Sequence, residues 1–289
     1  MPGWSDGPSE LWPACTPRAR RDSGEIRKDS RIRLSQLAAG RRVEADYAFA
    51  ADGAQVLFRA SSPDGHDAFD LFRVPADGSS TPVRISAPLV AGRDVDDDFQ
   101  LDPVHARAVY RADPFVDEQL QLFSVALDGS EPAVPLDGEP GSERDVNTGF
   151  VVAPDGGHVL FRTGSERRAK LYSATPGVAH SAVKLAGDPA AGREVLDGFR
   201  FSSDGALALF AGDLKIDERF ELWAAPADGG KPWRVHGPFV PGGDVARPAF
   251  QPWEFLPPGF EPVLDQESAV YLADPDSAAI RHAARIETQ

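Results

Sequence analysis

The sequence has one cysteine, Cys15, and one methionine, four tyrosines among its 289 residues, and no long apolar run. Each scarcity excludes something. A lone thiol excludes an internal disulfide and leaves no second thiolate for a structural zinc site built on cysteine. No window approaches the ~18 apolar residues that a membrane helix needs. Positive charge is in deficit, Lys+Arg 30 against Asp+Glu 45 for a net charge of -15, so the surface repels phosphate backbones and nucleic acid is a poor partner.

The first 28 residues carry no apolar h-region, and their arginines follow the small residues instead of preceding them, so they do not read as a secretory signal. Leu11 to Cys15 has only a faint likeness to a lipoprotein cleavage box. The Pro, Ser and Arg content of residues 1–28 predicts a disordered leader, followed by one domain over residues 29–289. Localisation is left open by the sequence, and so is the oligomeric state.

What is abundant is glycine and proline, 27 and 26 residues, beside 42% hydrophobic residues. That mix favours many short strands joined by turns. Aligning the chain with itself shows why. The segments beginning at Tyr47, Phe99, Phe150 and Phe199 repeat at about fifty residues, each followed by an apolar run ending on Phe58, Tyr110, Phe161 or Phe210. A second anchor, Leu71-Phe72, Leu122-Phe123, Leu171-Tyr172 and Leu222-Trp223, keeps the same period. Period-two alternation predicts strands, and the Asp-Gly pairs at 52–53, 155–156 and 204–205 predict tight hairpins between the first two of them. Further Asp-Gly pairs at 77–78, 128–129 and 228–229, with Pro176-Gly177 in the third unit, separate strands three and four. Four short antiparallel strands per repeat make a β-propeller blade.

The ends bear on closure. Arg31 to Leu34 resembles a fourth strand and precedes the first complete unit, while the C-terminal unit has strands one and two, a third near 280–286 and no fourth. The expected fold is therefore an all-β propeller of five blades whose last blade is completed by the N-terminal strand, which hides sheet edges that invite aggregation. A proline-rich insertion, Pro252 to Pro262, interrupts that last unit.

Turns such as Ala153-Pro154-Asp155-Gly156 and Ser202-Ser203-Asp204-Gly205, each followed by an apolar strand and then Leu-Phe/Tyr/Trp, resemble the TolB-type propeller repeat, also called the WD40-like PD40 repeat. The resemblance covers about residues 30 to 250. It implies architecture, and for the family it implies envelope protein interactions or the gating of serine peptidases. The chain departs from the peptidase pattern in having no α/β domain beside the repeats, and from the usual six blades by one.

There is no Gly-x-Ser-x-Gly, and the six histidines include no pair at metal-ligand spacing. Neither metal nor cofactor is expected. Inner-strand positions facing away from the core read Ala48, Gln100, Val151, Arg200 and Gln251, none acidic. Carboxylates gather just before those strands, with Asp46, Asp98 and Asp197 the candidates for an acidic mouth; the bland reading is a solvated loop surface. A glycosidase needs two such acids facing one another. Calcium suits oxygen ligands, but no EF-hand-like spacing is present.

Arg59, Arg111 and Arg162 end strand two in three units and are read as structural, pairing with Asp94, Asp145 and Glu194 in the Gly-x-x-Val connectors. Groups that break the repeat are better candidates for a ligand. These are the basic loop with Arg167, Arg168 and Lys170, and the insertion with Trp253 and Phe255, where exposed aromatics mark protein contacts. The functional expectation is a non-catalytic binding propeller that recognises a protein, peptide or envelope component through its charged loop face. The alternative is a small-ligand or glycan-active enzyme using the acidic mouth.

Overall fold

The computed structural model describes residues 32–37, 39–61, 68–138, 145–164, 169–187, 192–216 and 219–235, together with the strand backbone at 244–245, 268–274 and 280–285. Among these residues there is no helix. The chain divides into two compact units, Met1–Pro135 and Leu136–Gln289.

The first unit holds two four-stranded antiparallel sheets whose strand order follows the chain. One is β1 (Val43–Phe49), β2 (Gln55–Ser61), β3 (Phe69–Pro75) and β4 (Val83–Arg84); the other is β5 (Val95–Leu101), β6 (Arg107–Ala112), β7 (Gln121–Ala126) and β8 (Val134–Pro135). The second unit repeats the plan in β9 (Val151–Val152), β10 (Val159–Thr163), β11 (Lys170–Ala174) and β12 (Val183–Ala186), then β13 (Arg200–Phe201), β14 (Leu207–Gly212), β15 (Glu221–Pro226) and β16 (Trp233–Arg234). A last sheet has three strands, β17 (Asp244–Val245), β18 (Ser268–Asp274) and β19 (Ile280–Arg285). Each four-stranded meander is a propeller blade, as the repeat predicts.

The two sequence anchors turn out to be one cross-strand pair. Phe58 lies opposite Phe72, Tyr110 opposite Phe123, Phe161 opposite Tyr172 and Phe210 opposite Trp223. Three of these pairs stack, with ring centroids 5.8, 5.5 and 5.6 Å apart. Stacked pairs of this kind are worth about 0.5–1.5 kcal/mol beyond area burial, which helps to hold both anchors in register in these three repeats.

A bulge recurs with them. Val43 pairs with Ala60 and Tyr47 with Phe58, so three residues of β1 oppose Arg59 alone; Val95, Phe99 and Arg111 repeat the arrangement in the next blade. Glu44 to Asp46 and Asp96 to Asp98 occupy these bulges. The extra residues turn carboxylates back toward strand two.

Tight hairpin turns form at the Asp-Gly pairs, and the two residues divide the work. Only the glycine takes positive φ, 69° at Gly53, 70° at Gly156 and 76° at Gly205. The aspartate before it accepts a hydrogen bond from the amide two residues on, at 2.8 Å for Asp52 and Ala54 and 3.0 Å for Asp204 and Ala206. Its short side chain therefore closes the turn by accepting that bond, while its own backbone avoids the left-handed region.

Neighbouring blades interlock within each unit. Leu57, Leu71 and Ile85 of the first blade pack against Val95, Tyr110, Phe123 and Val125 of the second. Leu160, Leu171 and Leu185 pack in the same way against Val195, Phe210, Trp223 and Ala225. Residues 32–37 belong to no strand, yet buried Leu34 sits against Val43, Phe58, Phe72 and Val74, the place that Ile85 and Leu185 hold for their following blades. Residues near Leu34 thus take the packing position of a preceding blade's fourth strand. On the same blade Tyr47 and Phe49, expected on the core face, are exposed and meet edge to face at 6.3 Å, whereas their counterparts Phe150 and Phe199 are buried.

Candidate functional site

The acids proposed for an axial mouth are each engaged by an arginine. Arg59 Nε donates to Asp46 at 2.5 Å, Arg111 Nε lies 3.2 Å from Asp98 while its Nη2 meets Asp96, and Arg162 Nη2 meets Asp197. Arg111 is only 1% exposed. A guanidinium so deeply placed needs an anion beside it, and the bulged strand supplies one. Beside the pairing with Asp94, Asp145 and Glu194 expected from the sequence, the bulge brings Asp46, Asp96 and Asp98 onto the arginines of their own blades, and Arg59 also acts on the Asp94 charge. Arg162 reaches forward to Asp197 of the next blade, which carries Ala211 where the other three have the arginine.

The same side chains tie blade to blade. Arg59 Nη1 donates to the carbonyl of Val95 at 2.9 Å, and Arg162 Nη1 to that of Val195 at 2.8 Å. The structural reading of the repeated arginines stands on these bonds.

The connector acids have another task. Asp113, buried at the start of the loop between β6 and β7, accepts from the Asp94 amide at 2.6 Å, and Asp213 accepts from the Glu194 amide at the same distance. Each also donates its own amide back, Asp113 to the Asp94 carbonyl at 3.1 Å and Asp213 to the Glu194 carbonyl at 3.2 Å. In the first blade Ser61 replaces the aspartate, its hydroxyl accepting from the Arg42 amide at 2.8 Å. Connector and second loop are thereby joined on one side of each of these three blades. Repeated arginines in the connectors lie over the join: Arg41 donates to the Ser61 carbonyl at 2.8 Å, Arg93 to Asp117 at 2.5 Å, and Arg193 to the Leu214 carbonyl. These three were not singled out from the sequence, although the Gly-Arg-x-Val spacing carries the signal.

Crowding of carboxylates shows at Asp94. Burial, then the neighbouring Asp113 and Asp96, raise its pKa to about 6, against a lowering pull from Arg59. In the second blade the first hairpin also departs from its siblings. Buried Asp102 accepts the amides of Val104 and His105 at 2.8 and 3.0 Å, and His105 Nδ1 lies 3.0 Å from its other oxygen. The exposed His105 is thereby held by a buried acid.

Of the asymmetric candidates, Lys170 is half-buried at the start of β11. It stands where the first and fourth blades carry Asp70 and Glu221, which pair with Arg84 at 3.4 Å and Arg234 at 2.9 Å. The third blade has Lys184 at the arginine position, so an ion pair is replaced by two cations on one sheet face. Arg167, Arg168, Trp253 and Phe255 lie outside the described residues. So does Gln251, whereas Arg200 is half-buried on β13 with its Nη1 donating to the Phe199 carbonyl at 2.8 Å; burial lowers its pKa. Among the described residues there is no group of three or more metal-ligating side chains and no helix long and apolar enough to cross a membrane.

One loop stands out on the joined side. In the second blade, buried Pro114 is followed by Phe115, Val116, Asp117 and Glu118, all exposed. The corresponding positions of the fourth blade begin Leu214, Lys215, Ile216, and Lys215 Nζ lies 5.5 Å over the Trp223 ring. Both loops close with one turn, Gln119 donating to Val116 and Arg219 to Ile216 at 3.1 Å.

No protein-family model matches the chain, and no curated protein sequence does. Solved structures similar to it include a TolB-like protein from Agrobacterium tumefaciens, at 15% identity over 72% of this chain and 69% of that one, with a TM-score of 0.42. An oligogalacturonate lyase in complex with manganese is similar at 14% identity over 89% and 69% of the two chains, with a TM-score of 0.48. Oligopeptidase B from Leishmania major is similar at 15% identity and a TM-score of 0.48, covering 85% of this chain but 33% of its own. These likenesses, all at 15% identity or less, concern fold alone.

Proposed function

We propose that this protein is a non-catalytic binding propeller that recognises a protein or peptide through the side formed by its connectors and second loops. The observation that carries the reading is the contrast between a repeated skeleton and a varied display. Asp113 and Asp213 clamp their connectors with bonds of equal length, while the residues they present differ, Phe115 in one blade and Lys215 in another. Binding proteins commonly set variable loops on a rigid frame in this way. The TolB-type resemblance of the repeat extends the reading to a component of the cell envelope.

The enzymatic alternative rests on Asp46, Asp98 and Asp197. Each already faces an arginine, which favours a structural use of these carboxylates over proton transfer to a substrate. The test has two arms on the full chain. In affinity capture from an envelope extract, retention of a discrete protein that is lost in a Lys170→Glu, Lys184→Glu variant would support the reading. Turnover of any member of a glycan panel, abolished by Asp46→Asn with Asp98→Asn, would overturn it.

A further inference from the structure

We propose that the Pro114 to Gln119 loop, together with Val90 of the connector, is a docking epitope for a peptide segment that combines an apolar anchor with flanking lysines or arginines. The inference rests on the binding reading above and names the chemistry of its partner.

Three exposed apolar side chains share this edge: Val90 at 53%, Phe115 at 50% and Val116 at 52%. The Val90 amide donates to the Pro114 carbonyl at 3.2 Å, so connector and loop run side by side there. A folded chain gains nothing from showing an aromatic and two β-branched residues to water on an irregular segment, and such patches mark contact sites.

The loop is fixed before any partner arrives. Asp113 accepts the Glu118 amide at 3.3 Å, Gln119 closes the turn onto Val116, and Arg93 holds Asp117. Glu118 sits at φ 59°, a conformation that a side-chain-bearing residue keeps only under such constraint. A preordered loop loses little entropy on binding, so a small apolar anchor suffices for measurable affinity.

Charge selects the partner. Asp117 is 72% exposed despite its contact with Arg93, Glu118 is exposed beside it, and Asp94 and Asp113 add negative charge beneath. Arg93 and Arg59 do not balance these four carboxylates, and the whole chain carries -15. A cationic segment is therefore attracted and an acidic one repelled. The fourth blade serves as an internal comparison, since Lys215 replaces the aromatic there.

The experiment pans a random twelve-residue peptide display library on the folded full-length chain and measures the selected peptides by fluorescence anisotropy. Enriched peptides should pair aromatic or aliphatic residues with Lys or Arg, and should bind at least tenfold more weakly to a Phe115→Asp, Val116→Asp variant. An Ile216→Asp variant should bind them as the parent does. Circular dichroism checks that the variants fold, and single Phe115→Ala, which removes no buried group, should still weaken binding about fivefold. Peptides that bind parent and Phe115 variants alike, or that are net acidic, would overturn the epitope and leave the binding reading standing. A library yielding no binder would overturn both. Adsorption to neutral phosphatidylcholine vesicles that is lost in the double variant would show a lipid-facing loop instead, and would equally overturn the proposal.

Discussion

Arg162 of β10 and Val195 of the following blade are joined by a 2.8 Å bond from Nη1 to the backbone carbonyl, and Arg59 repeats it onto Val95 at 2.9 Å. A propeller blade has one apolar face toward each neighbour, and dispersion contacts alone set its angle loosely. A buried, directional bond at the edge of the apolar contact fixes it.

Arg162→Ala should therefore cost about 2 kcal/mol of unfolding free energy, because a buried carbonyl loses its donor. The exposed Asp197 adds little to this. Denaturant titration checks it, and a loss below about 0.5 kcal/mol would sink the role assigned to the arginine.

Tyr110 makes the second tie between blades in the first unit, its hydroxyl accepting from the Ala87 amide at 2.8 Å. Burial pushes the phenol's pKa well above its ordinary value. Tyr110→Phe keeps the stack on Phe123 but orphans a buried amide, so a loss of about 1–2 kcal/mol is expected from thermal or chemical melts. An unchanged midpoint would mean that the amide finds another acceptor.

Gly78 tests the placement of the chain's beginning. It has φ +68°, and a Cβ there would overlap Ile32 Cγ2. Gly78→Ala should destabilise by about 1–2 kcal/mol from left-handed strain and the clash together. Adding Ile32→Ala should recover the steric part only. No recovery would show that residue 32 does not lie on this turn.

Asp94 gives a pH signature. Its carboxyl is held at about 6 in the folded protein, above the ordinary value of 3.8. The folded state thus binds the proton more tightly than the unfolded chain, and stability falls as pH rises from about 4 through 6. Asp94→Asn removes the charge but not the backbone bond to Asp113. It should raise stability by about 1 kcal/mol at pH 7, after allowing for solvent screening, and change little at pH 4. A gain equal at both pH values would place the effect elsewhere.

Much of the fold was legible because it is written several times. Phe58 and Phe72, or Tyr110 and Phe123, recur at one period since each pair lies opposite across two strands in every blade. The candidate site was less legible. Asp46, Asp98 and Asp197 look like free acids in sequence, since nothing local reveals that a bulge folds three residues against Arg59 or Arg111, or that Arg162 reaches Asp197 from the preceding blade. Nothing local in the sequence marks Asp113 and Asp213 for burial, yet they are buried clamps. The first hairpin of the second blade hid Asp102 in the same way, by moving the acid two positions from its place in the other turns.

By itself the sequence determined the strand order, the turn glycines and the aromatic anchors, because these obey periods of two and about fifty that short-range sterics and repeated packing impose. Tertiary structure decided which carboxylate meets which arginine, which aromatic is left in water, and that Leu34 fills a preceding blade's place. Those outcomes depend on distances between residues far apart in the chain, where bulges and blade contacts set geometry that no local pattern encodes.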